Sequence, residues 1–162
     1  MRDFHTDLDL GKLAEREMFM LLAARPAVTA IKMTDWTKVG YDISYQINGE
    51  VRSLEVKSLG GGYPTGVVEV WADDAKTKRP HWGDADLIAF KDRSKNKWFI
   101  YEVAEVTKFL GAVPDGDLTR ANNGCKDDSG WIVKFKWDGM PGYLGYVNGL
   151  QDMTVNNNNG EQ

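Results

Sequence analysis

The stretch YDISYQINGEVRSLEVKSL, Tyr41 to Leu59, decides how the chain folds. At its centre, Asn48-Gly49 is the dipeptide best suited to a two-residue type I′ turn, because both turn positions need positive φ. That turn sets a register in which Ile47 faces Glu50, Gln46 faces Val51, Ser44 faces Ser53 and Asp42 faces Glu55. Side chains alternate along a strand, so Asp42, Ser44, Gln46, Ser53, Glu55 and Lys57 share one face. Ile43, Tyr45, Ile47, Leu54 and Val56 share the other. One face is expected to be core and the other to carry chemistry.

Directly opposed strand positions hold their Cβ atoms roughly 4.5–5.5 Å apart, and like charges there are destabilising. Asp42 against Glu55 therefore calls for compensation. A divalent cation supplies it, since Mg²⁺ takes one or two carboxylates together with waters and phosphate oxygens. Lys57, two residues beyond Glu55, would stand beside such a cation as a compact positive charge. A solvated acid pair relieved by Lys57 is the plainer alternative.

The order of these residues resembles a known pattern. Gly40-Tyr41-Asp42-Ile43, followed by Glu55-Val56-Lys57, resembles the active-site hairpin of the PD-(D/E)XK nuclease superfamily, with Tyr41 in the place of the Pro. Upstream, Gly11-Lys12-Leu13-Ala14-Glu15-Arg16-Glu17 is similar to the first helix of its Holliday-junction-resolvase branch, which supplies a further carboxylate. The resemblance implies an α/β, restriction-endonuclease-like mixed β-sheet flanked by helices, and a Mg²⁺-dependent endodeoxyribonuclease. It implies that Asp42, Glu55, the carbonyl of Val56 and Glu15 hold one or two Mg²⁺ or Mn²⁺ ions, with Lys57 beside them. DNA is then the partner, branched DNA a candidate substrate, and a homodimer a candidate assembly. Thr65-Gly66 with Glu69, and Ala85-Asp86-Leu87 further on, is similar to a pattern in phage and bacterial members where the Glu lies near the metals.

The helix itself is legible from periodicity. Leu10, Leu13, Ala14, Met18, Leu21 and Leu22 form a stripe at helical spacing from about Leu8 to Ala24, with Asp7 or Asp9 as N-cap and Arg25-Pro26 as its end. At about 100° per residue, Glu15 falls on the flank of that stripe and Glu17 nearer its centre. Periodicity would bury Glu17, whereas the family pattern uses Glu15; Glu17 and Glu69 are held as accessory candidates.

Beyond the hairpin, Gly60 to Gly66 reads as a pliable loop without the Lys-Ser/Thr of a phosphate-binding P-loop. Ala27 to Met33 reads as a short strand or an extended approach to the sheet, and strands are expected at Val67 to Trp71, Asp86 to Phe90, Lys97 to Tyr101 and Trp131 to Trp137. A second helix is expected from Val103 to Leu110, and loops at Ala72 to Gly83 and Asp115 to Gly130. Residues 1–150 read as one domain, and 151–162, with Asn156 to Asn159, as a disordered tail.

Composition narrows the function classes. The chain has 162 residues, 42% hydrophobic, and a net charge of −4, which argues against a broad non-specific nucleic-acid surface. A local basic stretch remains, with seven Lys or Arg between Lys76 and Lys97 against three Asp. Lys76, Lys78, Arg79, His81 and Trp82 are its nucleic-acid-binding candidates, the aromatic ring as a stacking plane for unpaired bases. A single cysteine, Cys125, suits a reducing compartment, and no apolar run approaches the roughly 18 residues of a membrane span. A cytoplasmic protein is expected, acting in the host interior if phage-encoded. The rival to an enzyme is a catalytically silent module of the same fold that binds nucleic acid or a host protein.

Overall fold

A computed structural model describes residues 4–35, 39–58, 65–73, 77–80, 84–120 and 130–151. Lys76, His81, Trp82, Cys125, the Gly60–Gly62 stretch and the tail from residue 152 lie outside the described residues. The chain is α/β, with helix α1 (Phe4–Ala23) leading into β1 (Val28–Met33), β2 (Ile43–Ile47) and β3 (Glu50–Ser58). β4 (Gly66–Asp73), β5 (Thr77–Pro80), β6 (Leu87–Asp92) and β7 (Lys97–Glu102) follow. Then come α2 (Val103–Ala112), β8 (Thr119–Arg120), β9 (Gly130–Phe135) and β10 (Tyr143–Asn148).

The expected mixed sheet is present, and a second sheet accompanies it. Six strands run in the order β1-β2-β3-β6-β7-β10, and four in the order β5-β4-β9-β8. The larger sheet is mixed: β3 pairs with β6 in parallel, and its other neighbours are antiparallel. A parallel step requires a crossover, which is why β4 and β5 leave the first sheet and build the second.

Asn48 and Gly49 take φ of 52° and 80°, and the hairpin register follows from them: Ile47 opposes Glu50, Gln46 opposes Val51, and Ser44 opposes Ser53. Because side chains alternate, the two faces of the six-stranded sheet feed separate cores. On one face Ile43, Tyr45, Leu54, Val56, Ala89 and Trp98 pack with Ala14 and Met18 of α1. On the other, Ile88, Phe90, Phe99 and Tyr101 pack with Val68, Val70, Val133 and Phe135 of the second sheet and Val106 and Leu110 of α2. The aromatic residues interlock there: Phe90 meets the Phe135 ring edge-on at 5.1 Å, Phe99 stacks on Trp137 at 5.4 Å, and the Tyr101 hydroxyl donates to the Trp137 carbonyl at 2.6 Å. Burial pushes the Tyr101 hydroxyl up to about 12.

Three expectations are corrected. Helix α1 already runs from Phe4, so neither Asp7 nor Asp9 is its N-cap. The Ala72 to Gly83 stretch contains β5, and β10 closes the larger sheet where no strand was expected. Each is held by cross-strand pairing, β5 on β4 and β10 on β7, which local sequence does not display.

Glu17 has a structural partner set. It accepts from Lys91 Nζ at 2.7 and 3.0 Å, from Trp98 Nε1 at 3.2 Å and from the Leu150 amide at 2.9 Å. Lys91 Nζ also donates to Asn96 Oδ1 at 2.6 Å, and Asn96 returns a bond to the Leu150 carbonyl at 3.0 Å. The clasp joins α1, the β6–β7 hairpin and the segment after β10, and a Cβ on Gly149 would collide with Asn96, Lys91 and Glu17.

Removing one member of a buried ion pair strands the other. Lys91→Met is therefore expected to lower unfolding stability by about 3 kcal/mol, and the double variant Glu17→Gln/Lys91→Met by less than Lys91→Met alone. Urea unfolding of the three proteins measures it; a double variant less stable than Lys91→Met would show that the pair does not work as a unit.

Candidate functional site

The hairpin ladder changes character where it reaches Asp42. β2 begins its pairing at Ile43, and Asp42 donates its amide to the Leu54 carbonyl at 3.1 Å. Continued regularly, the ladder would bring the Val56 amide to the carbonyl of Tyr41. Instead Val56 N–H donates to Asp42 Oδ2 at 2.8 Å, and the Tyr41 carbonyl accepts from the Thr34 hydroxyl. The Asp42 side chain thus substitutes for main chain at the end of the ladder, which fixes its carboxylate against β3. Gly40, at φ 73°, precedes it and turns the chain into this position.

Glu55 stands beside it. Asp42 is 8% exposed and Glu55 7%, so two carboxyl groups are withdrawn from water together. Lys57 Nζ lies 2.6 Å from Glu55 Oε1. Burial is the largest influence on Glu55 and outweighs the pull of Lys57; with the Asp42 charge added, it pushes the carboxyl up to about 7. Asp42 is also raised by burial, against the Val56 N–H bond and Lys57. The Asp42 charge raises Glu55, so the two carboxyl groups act on one another as well as being withdrawn from water.

Glu15, half-buried on α1, is raised first by desolvation and next by the charge of Asp42, while Lys57 and Lys12 pull it back. It therefore lies within electrostatic range of the acid pair. The structure brings Asp42, Glu55, Lys57 and Glu15 into one electrostatic group, and it takes Glu17 into the clasp with Lys91. Glu69 sits in β4 opposite Ile132, in the second sheet, and Lys78 and Arg79 sit in β5 opposite Ala72 and Trp71. The side chains of these three are outside the described residues.

Asp86 is a residue whose role the sequence did not reveal. Its Oδ2 accepts from the Ser53 amide at 2.9 Å and from the Ser53 hydroxyl at 3.1 Å, and its carbonyl accepts from Val103 N–H at 3.0 Å. It ties β3 to the start of β6 and to α2, two residues behind Glu55. An Asx side chain ahead of a strand is the local signal for such a bond, but its partner is 33 residues away.

The donor set fits a hard divalent cation, which takes one or two carboxylates and completes its shell with water and substrate oxygens. The burial of two neighbouring carboxyl groups is the fit: a cation would cancel the charge that burial penalises. Among the described residues, no three His, Cys, Asp or Glu side chains stand grouped to hold a metal ion, so Glu15 does not complete a preformed cage.

No protein-family model matches this chain, and no curated protein does. A solved structure of a bacterial homing endonuclease, I-Ssp6803I, is similar over 77% of this chain and 74% of that one, at TM-score 0.46 and 13% identity. A likeness that distant does not bear on the chemistry of the site. Among the described residues, no helix is long and apolar enough to cross a membrane.

The acid pair makes stability depend on pH in a definite direction. Glu55 holds its proton in the folded protein between its ordinary value of 4.5 and about 7, whereas the unfolded chain loses it. Folding then binds a proton across that window, so stability is lost as the pH rises through it. Metal-free protein is expected to lose about 3 kcal/mol between pH 4.5 and 7 from this group, and Glu55→Gln to flatten that slope. Chemical unfolding at half-unit pH steps measures both; a wild-type stability that rises across the window would contradict the assignment.

Proposed function

We propose that the protein is a metal-dependent nuclease that hydrolyses DNA phosphodiester bonds. The observation that carries the reading is the burial of Asp42 and Glu55 together, with Lys57 on the same strand as Glu55 and Glu15 within range. A structural acid pair is usually exposed or matched by cations. This one is buried with a single ammonium beside Glu55, and a divalent cation would offset the charge that burial penalises.

Asp42, Glu55, the carbonyl of Val56 and Glu15 are the proposed ligands for one or two Mg²⁺ or Mn²⁺ ions. Such an ion, when bound, neutralises phosphate charge and acidifies a coordinated water. The chain's own residues prepare for this. The Val56 N–H holds the Asp42 carboxylate in place before anything binds, so little reorganisation is left for the reacting complex. Glu55 releases its proton on binding, which makes cation affinity rise with pH up to about 7. Lys57 is placed to offset phosphate charge or to orient the attacking water. The likeness of Gly11 to Glu17 to a resolvase helix makes four-way DNA junctions the substrate to test first, and with them a homodimer, since two strands must be cut.

The test is cleavage of labelled linear duplex, single strand, flap and four-way junction with Mg²⁺ or Mn²⁺. Wild type is expected to cut at least one, and Asp42→Asn and Lys57→Ala each to lose about a hundredfold or more in rate. No cutting of any DNA, together with no cation uptake in calorimetry, would overturn the reading and leave a binding module of unknown partner.

A further inference from the structure

One buried carboxylate belongs neither to the acid pair nor to the clasp. Asp92, at the end of β6, is 2% exposed. Its Oδ1 accepts from the Ser94 amide at 3.0 Å and the Ser94 hydroxyl at 2.7 Å. Its Oδ2 is buried and, among the described residues, has no hydrogen-bond partner. A dry carboxylate oxygen without a donor is costly and rare, so its presence calls for a reason.

The cations around it are engaged elsewhere. Lys97, its cross-strand partner, places Nζ 4.5 Å from the centre of the Tyr146 ring. Lys91 faces α1 and holds Glu17, and Arg93 Nε donates to the Ser58 hydroxyl at 2.9 Å. The register supplies one further cation. In the parallel ladder Lys57 pairs with Phe90, and partners in a ladder project to the same face. Asp92, two residues beyond Phe90, is therefore on the face of Glu55 and Lys57. Strand spacing and rise put the Lys57 and Asp92 backbones about 8 Å apart on the diagonal, a span that long side chains bridge.

Lys57 now sits on Glu55, the group that a cation would claim. We propose that Asp92 is a positioning residue that receives the Lys57 ammonium when a divalent cation occupies Asp42 and Glu55. The lysine then exchanges Glu55 Oε1 for Asp92 Oδ2, each buried carboxylate keeps a positive neighbour, and the ammonium stays at the edge of the site instead of being expelled from it. The inference rests on the cation-binding reading given above. Asp92 acts only through Lys57.

Calorimetric titration with Mn²⁺ tests it on four proteins: wild type, Asp92→Asn, Lys57→Met and the double variant. Asp92→Asn keeps the oxygen that Ser94 bonds and removes the charge; Asp92→Ser, also neutral and smaller, serves in its place should the amide not fold. Asp92→Asn is expected to weaken Mn²⁺ binding about tenfold where Lys57 is present, a coupling usual for neighbouring charged groups. In the Lys57→Met background the same change is expected to alter affinity less than about twofold. Equal weakening in both backgrounds, or none in either, would overturn the role of Asp92 while leaving the cation site standing. Absence of Mn²⁺ binding by wild type would overturn the site itself and the inference with it.

Discussion

The parallel ladder between β3 and β6 is the constraint on which the rest of the molecule depends. It sets Glu55 beside Ile88, Lys57 beside Phe90 and Ser58 beside Lys91, and alternation then sorts their side chains. One face receives Leu54, Val56, Ala89 and Lys91 for α1; the other receives Glu55, Lys57, Phe90 and Asp92. A slip of one residue would send Lys91 into the aromatic core and Glu55 under α1, so neither the clasp nor the acid pair could form. Burial on both faces makes that slip prohibitive.

The same ladder explains why polar groups are buried so unevenly. Lys91 reaches a carboxylate on α1 that also collects an indole N–H and a main-chain amide, so its charge is met three ways. Among the described residues Asp42 accepts from the Val56 amide and Glu55 lies against the Lys57 ammonium, and burial still raises both carboxyl groups. Satisfied polar networks hold elements together, whereas an under-satisfied one stores free energy that binding can release. The contrast separates a structural carboxylate, Glu17, from Asp42 and Glu55, the candidates for chemistry.

Much of this was legible in the sequence where the cause was local. Asn48-Gly49 dictated the hairpin, and from it came the register of Ser44 with Ser53 and the face shared by Glu55 and Lys57. The expected opposition of Asp42 to Glu55 was legible only in outline, because β2 stops at Ile43 and the Asp42 side chain takes over a ladder bond. That substitution depends on where a carboxylate oxygen falls, which alternation does not encode. The strand β10, with Gly145 inside it, Gly142 and Gly149 flanking it and exposed Leu144 and Tyr146, carries no strong strand pattern of its own. It exists because β7 offers an edge.

The ambiguity between Glu15 and Glu17 shows how periodicity and chemistry can point different ways and both be informative. The helical stripe put Glu17 toward the core, and it is there, but as an acceptor for partners 74 and 133 residues away. Glu15, on the flank, is left facing the charges of Asp42 and Lys57. A helix anchored through Glu17 cannot rotate without breaking the clasp, so Glu15 is held at a set distance from the acid pair by a residue that takes no part in it. The clasp thus governs the geometry of the site from behind, and the C-terminal segment at Leu150, through its amide on Glu17, becomes one of the supports on which the position of Glu15 rests.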